Sequence, residues 1–302
     1  MYKYFLPLLI INSEINFGFK KNRYNRCKDL EKNATNIYIK KGNVDYLNYN
    51  ATRENHISDN FVVLFNDESM LLNLNKQGIL IYIKDDTVVV DYKDLYEHIV
   101  FNNLVELIIP YFYHKKGCLV LHAASCRYNG KTILFTADSG VGKTTLLLSL
   151  LKLGAAYISD DIVCILENKN RYQCVGLDFT LPKANANTIK MLGIDSSNII
   201  GASGINTKSF IFLKNNYQIS SFVDAVIFLK PVNDKNGIKL RKVNEPEKQL
   251  LEQTIGIWGI SEIEIIKLLS KWKSFSDVVN VYSIEYTKES AFLEDVVSYL
   301  QF

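Results

Sequence analysis

The sequence contains the stretch Ala137-Asp-Ser-Gly-Val-Gly-Lys-Thr-Thr145, which follows the apolar run Thr132-Ile-Leu-Phe-Thr136 and precedes a second apolar run at residues 146–151. The pattern predicts a β-strand, a glycine-containing loop and an α-helix, in that order. Such a loop points several backbone N–H groups at one anion, and the new helix adds the positive end of its dipole. The stretch therefore predicts a phosphate-binding loop. One departure from the usual motif, Ala137 in place of its first glycine, keeps a small residue at the turn.

The residue types in this loop indicate what it binds. Lys143 is positioned to reach the β- and γ-phosphates of a nucleotide, and the Thr144 hydroxyl is a potential Mg²⁺ ligand. ATP and Mg²⁺ are therefore the predicted ligands, and the alternative is a glycine turn with a chance lysine. The predicted nucleotide-binding residues are Ser139, Gly140, Val141, Gly142, Lys143, Thr144 and Thr145.

Composition and charge narrow the class of protein. The 302 residues are 48% hydrophobic and 22% charged, which is typical of a globular chain with a sizeable core. The net charge of +3 is small, and paired lysines such as Lys40-Lys41 and Lys115-Lys116 are dispersed along the chain. We therefore expect no nucleic-acid partner.

The cysteines and the apolar runs predict a cytoplasmic location. The five cysteines are an odd number and include no C-x-x-C pair, so we expect reduced thiols in a reducing compartment. The apolar run at the amino terminus is interrupted by Pro7, and no small-residue cleavage site follows it. No run approaches the ~18 apolar residues that a membrane helix needs, so we expect no membrane association.

The hydrophobic pattern divides the chain into two predicted domains. Residues 1–93 alternate short apolar runs with polar turn clusters, which predicts a mostly antiparallel β module. From about residue 95 to 109 the apolar period changes to that of a helix, which we expect to end near Pro110. The predicted domains are therefore residues 1–93 and residues 94–302.

A predicted hairpin places a histidine beside the loop. Asn129-Gly130 separates two strand-like runs, and both residues accept the positive φ of a type I′ turn. A two-residue turn pairs Tyr128 with Lys131, and the same register puts His122 opposite Ala137. The alternative is a strand histidine bonded to backbone, with a bulge shifting the register.

Two acids interrupt the strand-like run at residues 155–166. Asp160 and Asp161 would cost several kcal/mol there unless they are paired or bound to metal. A helix of about three turns that ends at Gly154 returns the chain below the loop. We therefore expect both acids close to Lys143 and Thr144. The alternative is an Asp-Asp turn that joins two strands of a hairpin.

Together these motifs resemble the HPr kinase/phosphorylase-like proteins, which share a P-loop fold with the ATP-dependent phosphoenolpyruvate carboxykinases. The resemblance rests on Leu121-His-Ala-Ala124, the Asn-Gly hairpin, the loop, the short helix ending at Gly154, and Ser159-Asp-Asp161. It covers about residues 100–255. It implies an α/β (α+β) fold, with a kinase domain of this type after a smaller, mostly-β amino-terminal domain.

The chain also departs from HPr kinase itself. Thr144-Thr145 stands where that enzyme has Ser-Glu, and the glycine-rich signature that helps bind the HPr protein has no counterpart. We therefore do not expect HPr as the acceptor. The nearer resemblance is to the HPr-kinase-related enzymes of peptide-modification gene sets, which include the kinases of lasso-peptide precursors.

The resemblance implies transfer of the γ-phosphoryl group of ATP to a Ser/Thr hydroxyl of a peptide or protein. Asp160 matches the general base, Asp161 helps hold Mg²⁺, and His122 lies near the transferred phosphate. Lys183 matches a basic residue that follows a proline. Lys183, Lys208 and Arg241 could each contact phosphate or an acidic acceptor, with solvated surface cations as the alternative for all three. Lys183 ranks first because of this match.

Other functions remain open from the sequence. A small-molecule kinase, for example of free serine, is one alternative, and a nucleotide-binding regulator without transfer is another. The amino-terminal module is predicted to position a peptide by strand addition. A stabilising or dimerising module is its alternative, which leaves a homo-oligomer open.

Overall fold

The computed structural model describes residues 1–15, 34–58, 61–93, 100, 103–176, 181–202, 208–211, 217–232, 238–258 and 260–286. The chain is a mixed α/β protein with several sheets and two compact units. The amino-terminal unit comprises Met1–Tyr111 and Gly256–Ile260, and the carboxy-terminal unit comprises Phe112–Ile255 and the chain from Ser261 onward. The units therefore divide after Tyr111, whereas the sequence indicated a boundary after Lys93.

One mixed sheet forms the amino-terminal unit. Its strand order is β1-β2-β3-β8-β7-β6-β5-β4; β3 pairs in parallel with β2 and β8, and the other pairings are antiparallel. The mostly antiparallel prediction for this region is confirmed. The strands are β1 (Tyr2–Leu6), β2 (Leu9–Ser13), β3 (Thr35–Lys41), β4 (Arg53–Ser58), β5 (Phe61–Phe65), β6 (Ser69–Leu74), β7 (Ile79–Lys84) and β8 (Thr87–Asp91).

Strand β7 shows the alternating burial expected of a strand. In β7 the side chains of Ile79, Ile81 and Ile83 are buried while the residues between them are partly exposed, which is the period of a strand with one face on the core. The apolar run at residues 5–11 forms two antiparallel strands rather than one. Leu8 adopts a φ of 61° directly after Pro7, so the chain turns there.

A helix leads into the carboxy-terminal unit. Leu104–Ile108 is π-helical and continues directly into α1 (Ile109–Lys115). The prediction that this helix ends near Pro110 is wrong. Pro110 therefore lies inside a continuous helical stretch, directly after the wider π turns, and such an irregularity commonly accompanies a proline within a helix.

Three sheets lie in the described part of the carboxy-terminal unit. Their strand orders are β12-β10-β11-β19-β21-β20, β18-β14-β13-β9 and β15-β17-β16. In the first sheet β11, β19 and β21 are parallel. The strands are β9 (Leu119–Leu121), β10 (Ala123–Tyr128), β11 (Lys131–Thr136), β12 (Ala156–Ser159), β13 (Val163–Asn168), β14 (Arg171–Val175), β15 (Lys183–Asn185), β16 (Ile199–Ala202), β17 (Lys208–Ile211), β18 (Ser220–Phe222), β19 (Ala225–Pro231), β20 (Lys239–Lys242) and β21 (Asn280–Tyr286).

The described part of this unit contains four more α-helices: α2 (Lys143–Lys152), α3 (Ala186–Leu192), α4 (Pro246–Glu252) and α5 (Glu262–Val278). Short 3-10 turns occur at Asn75–Gln77 and Ser196–Asn198. The apolar pattern of the sequence predicts helices at residues 186–192, 262–272 and 290–300. The first is confirmed, and α5 extends six residues past the predicted end at Trp272. The predicted last helix at residues 290–300 and Cys27 lie outside the described residues.

Helix α2 anchors the loop region to the core. Leu146, Leu147 and Leu150 are fully buried against β10, β11 and β19, and each such side chain contributes about 1.5–3 kcal/mol on burial. The helix ends just before Gly154, whose φ of 94° suits a glycine. No helix in the described part of the chain is long and apolar enough to span a membrane.

Candidate active site

A strand, a loop and a helix meet at the predicted site. Strand β11 ends at Thr136, and α2 begins at Lys143 after residues 137–142, which we call the glycine loop. Gly140 and Gly142 adopt φ angles of 81° and 122°, which side chains rarely tolerate. The first N–H groups of α2 have no partner within the helix, so they can face a ligand of the loop. The predicted order of strand, loop and helix is confirmed.

The side chain of Lys143, the first residue of α2, points back into the glycine loop. This side chain is buried, and Nζ donates hydrogen bonds to the carbonyl oxygens of Ala137 at 2.6 Å and Asp138 at 3.2 Å. Burial lowers the pKa of this ammonium, while the charges of Asp161, Asp160 and Asp138 act in the opposite direction. A phosphate ligand would replace the two carbonyl oxygens as the hydrogen-bond acceptors.

Asp160 contacts the first turn of α2. The residue follows β12 directly and is 1% exposed. The Thr144 hydroxyl donates to its carboxylate at 3.0 and 3.2 Å, and the backbone N–H of Lys183 donates at 3.4 Å. Burial raises the pKa of Asp160 to about 7, and the neighbouring Asp161 adds to this effect. The site thus holds a carboxyl group that can exchange a proton near neutral pH.

Asp161 lies at the point where the chain changes sheets. Strand β12 belongs to the six-stranded sheet and β13 to the four-stranded sheet, so the alternative of a hairpin turn at the two acids is wrong. Asp161 itself adopts a φ of 66°. Its Oδ2 lies 3.5 Å from Nζ of Lys183. The expected approach of both acids to the start of α2 therefore brings Lys183 to the same place.

His122 lies one position beyond the hairpin ladder. The pairs run from Tyr128↔Lys131 to Ala123↔Thr136, so the predicted register is confirmed. Its backbone N–H donates to the carbonyl of Gln253 at 2.8 Å, and its own carbonyl accepts from the Thr136 hydroxyl at 2.9 Å. These bonds replace the ladder because β9 and β10, on either side of His122, lie in different sheets.

The His122 ring also points into the site. Nδ1 lies 3.0 Å from the backbone carbonyl of Asp161. Burial lowers the pKa of this imidazole, and the charge of Lys143 lowers it further. A neutral ring whose Nδ1–H donates to that carbonyl leaves Nε2 as a hydrogen-bond acceptor.

Two residues of the site carried no signal in the sequence. Gln253 accepts from His122 and donates from Nε2 to Oδ1 of Asp138 at 3.2 Å, so it links the histidine to the glycine loop. Tyr286, the last residue of β21, donates from its hydroxyl to the carbonyl of Val141 at 2.5 Å. That bond directs one carbonyl of the loop away from any anion. Both residues are distant from the loop in sequence, and the end of α4 and the position of β21 in the sheet bring them close.

Other predicted residues have different surroundings. The Thr145 hydroxyl lies 3.2 Å from the hydroxyl of Thr188 in α3. Arg241 forms an ion pair with Glu285 at 3.7 Å. Ser139 is exposed in the glycine loop. The contacts of Thr145 and Arg241 are thus with protein groups rather than with the open side of the loop.

The side chains around Thr144 fit a hard cation. The hydroxyl of Thr144 and the carboxylates of Asp160 and Asp161 are oxygen donors, which Mg²⁺ prefers. Among the described residues, no group of three or more His, Cys, Asp or Glu side chains could hold a metal on its own. This donor set suits a cation whose remaining ligands come from phosphate and water.

Comparisons with known proteins add little to this geometry. No protein-family model matches the chain, and no curated protein is significantly similar to it in sequence. Among solved structures the chain is similar to the Hpr(Ser) kinase/phosphatase from Coxiella burnetii, with a TM-score of 0.32, 12% identity, and coverage of 60% of this chain and 90% of that one. A TM-score this low carries no inference about activity, which has to come from the site itself.

Proposed function

We propose that this chain is a phosphotransferase that moves the γ-phosphoryl group of ATP to a hydroxyl group. The observation that carries the proposal is the buried Asp160 carboxyl, which is hydrogen-bonded to Thr144 next to Lys143. At the start of α2, Thr144 thus holds a proton acceptor, Asp160, and the adjacent Lys143 is a cation that can bind phosphate. Phosphoryl transfer needs mainly such positioning and charge neutralisation.

The residues around the loop have distinct roles in this mechanism. Bound ATP would supply the phosphoryl group, and Mg²⁺ held by Thr144 and Asp161 would neutralise part of its charge. Lys143 and the N–H groups of the glycine loop bind the phosphates. Asp160 accepts the proton of the attacking hydroxyl, for which a pKa of about 7 is suited.

Two further side chains assist. Lys183 orients Asp161 through their ion pair, and its ammonium can move to the phosphoryl group as that group is transferred. His122, whose Nδ1 lies against the carbonyl of Asp161, would offer Nε2 as a hydrogen-bond acceptor beside the loop.

The buried acid favours an enzyme over a nucleotide-binding regulator. Burying a carboxyl group costs folding free energy, and it also opposes ionisation of the group. Binding a nucleotide requires only the loop, the lysine and a metal ligand. A proton acceptor with a raised pKa is useful when a proton must move.

The proposed acceptor is a Ser or Thr hydroxyl of a peptide or protein, in the biosynthesis of a modified peptide in a reducing cytoplasm. The sequence resemblance described above supports this acceptor class. In the described part of the amino-terminal unit, β1 and β4 are the edge strands of the sheet, and an extended peptide can add to such an edge. Free serine as acceptor is the competing possibility.

The first test is nucleotide binding by titration calorimetry. Wild-type protein should bind ATP with Mg²⁺, and Lys143→Ala should weaken binding by about 100-fold or more because charge-assisted bonds to phosphate are lost. Lys267→Ala, which removes an exposed lysine of α5, should bind normally. If wild-type protein binds no ATP at millimolar concentration, the proposal is wrong.

The second test separates the acceptors. The protein is incubated with γ-labelled ATP and either a serine-containing peptide encoded by a neighbouring gene or free serine. We expect label on the peptide and little on the amino acid. Equal turnover of both acceptors would favour a small-molecule kinase, and nucleotide binding without any transfer would favour the regulator.

A further inference from the structure

The three-stranded sheet beside α2 has two chemically different faces. Ala184 of β15 and Ile211 of β17 are buried and pack against Leu148 of α2. Side chains alternate along a strand, so the residues that flank Ala184 point to the other face. That other face carries cationic side chains.

The strand register places two lysines on this second face. Lys183 pairs with Phe210, and Asn185 pairs with Lys208. Lys183 and Lys208 are therefore diagonal neighbours on one face, a relation in which side chains are typically ~7–8 Å apart at their bases. The ammonium of Lys183 lies 5.8 Å from the ring centroid of Phe210, its cross-strand partner, which is on the same face.

Only one of these lysines is paired with an acid in the described part of the chain. Lys183 lies against Asp161, whereas no ion pair with a described carboxylate involves Lys208. Lys208 is nonetheless only partly exposed. Neighbouring positive charges repel each other, and of these two only Lys183 has a described acidic partner. An anion placed between the two ammonium groups would remove that repulsion.

The charge of Lys208 is felt inside the site. Burial has the largest effect on the pKa of His122 and on the pKa of Lys143, and the charge of Lys208 adds a minor lowering to both. Lys183, the neighbour of Lys208 on the same face, donates its backbone N–H to Asp160 and pairs with Asp161. This face of the three-stranded sheet therefore borders the two acids.

From this placement we propose that Lys208 binds the terminal phosphate of the nucleotide, as a second cation facing Lys143. The inference rests on the proposed function. The N–H groups of the glycine loop serve the phosphates nearer the nucleoside, while Lys208 approaches from the side of His122 and the two acids. Its contact is therefore with the group that is transferred, and its charge stabilises that group as the bond to the nucleotide breaks.

The test compares ATP with ADP, because only ATP carries the terminal phosphate. Dissociation constants for both nucleotides are measured with Mg²⁺ by calorimetry, for wild-type protein, Lys208→Gln and Lys208→Arg. Lys208→Gln should weaken ATP binding by about 10–100-fold and ADP binding by less than about 3-fold, and Arg should retain most of the ATP affinity. Lys190→Gln, an exposed lysine of α3, is the matched control and should change neither.

Other results of this experiment would overturn either the role of Lys208 or the proposed function. An unchanged ratio of ATP to ADP affinity in Lys208→Gln overturns the inference, whether both affinities are normal or both are reduced. A reduced melting temperature together with equal losses would make Lys208 a structural residue of β17. Failure of wild-type protein to bind either nucleotide would instead remove the proposed function, so the two failures are distinguishable.

Discussion

Asp160 shows how the environment of one residue sets its chemistry. A carboxyl group in water is ionised well below neutral pH, but burial raises the pKa of Asp160 to about 7, and the charge of Asp161 adds to this. We therefore expect Asp160 to ionise near neutral pH rather than in the acidic range. Its capacity to accept a proton grows as the pH rises through that value.

This argument predicts the pH dependence of activity. For wild-type protein, kcat/KM for ATP should rise with pH up to about 7 and level off above it, because the free enzyme must have an ionised Asp160. In Asp160→Asn the rate should fall roughly 10²–10⁴-fold, with nucleotide affinity preserved. The residual rate should lack the acidic limb. An unchanged acidic limb in the variant would assign that proton to another group.

The site residues differ in how visible they were in the sequence. Lys143, Thr144 and the two acids could be predicted, because motif spacing and helix length are local properties. His122 could be placed because a two-residue turn defines the whole register of a hairpin. Gln253 could not be predicted, because its link between Asp138 and His122 depends on where α4 ends in space.

Among the elements, the predicted ends were less accurate than the predicted types. Helix α5 runs to Val278 because Phe275, one turn after Trp272, is also fully buried. A pattern that ends at Trp272 omits this last apolar turn. The change of sheet at His122 and again at Asp161 was not predictable either, because alternation of side chains does not say which sheet a strand joins.

A close approach between two elements gives a stability prediction. A Cβ on Gly176, directly after β14, would lie 2.0 Å from the carbonyl oxygen of Ile158 in β12. Gly176→Ala should therefore lower the free energy of unfolding by more than about 2 kcal/mol. It should also reduce activity, because β12 leads directly to Asp160.

The control for this prediction is Gly193→Ala. Gly193 has a φ of 57° but open space around a Cβ, so the cost there is that of backbone strain, about 1 kcal/mol. Urea denaturation of both variants measures the difference. Equal destabilisation would mean that β12 moves aside without cost.

For the whole molecule, the thiols give a prediction that concerns the compartment. Cys118, Cys126, Cys164 and Cys174 are free and buried, and burial raises the pKa of Cys174 to about 12. Burial also raises the pKa of Cys126 and of Cys164, so these two thiols and Cys174 should be unreactive in the native protein. All four thiols should react after denaturation. Mass spectrometry without reductant should find no disulfide-linked peptides for any of the five cysteines. A disulfide bond between Cys118 and Cys126 would contradict the proposed reducing compartment.

The sequence predicts a domain boundary after Lys93, and the compact units divide after Tyr111. The change from a strand period to a helix period marked the transition, and the helix itself continues past the point where the compact units divide. The return of residues 256–260 to the amino-terminal unit had no sequence signal. It depends on contacts of Trp258, whose ring stacks on Tyr111 at 5.6 Å and meets Phe61 edge-on at 6.0 Å.

The position of Trp258 has a consequence during translation. The eight described strands of the amino-terminal unit are synthesised first, but Trp258, which packs on Phe61 and Tyr111, is synthesised much later. At about 5–20 residues per second, the nascent unit waits on the order of ten seconds with these aromatic rings uncovered. During that interval a chaperone, or the same segment of a neighbouring nascent chain on a polysome, can occupy the place of Trp258.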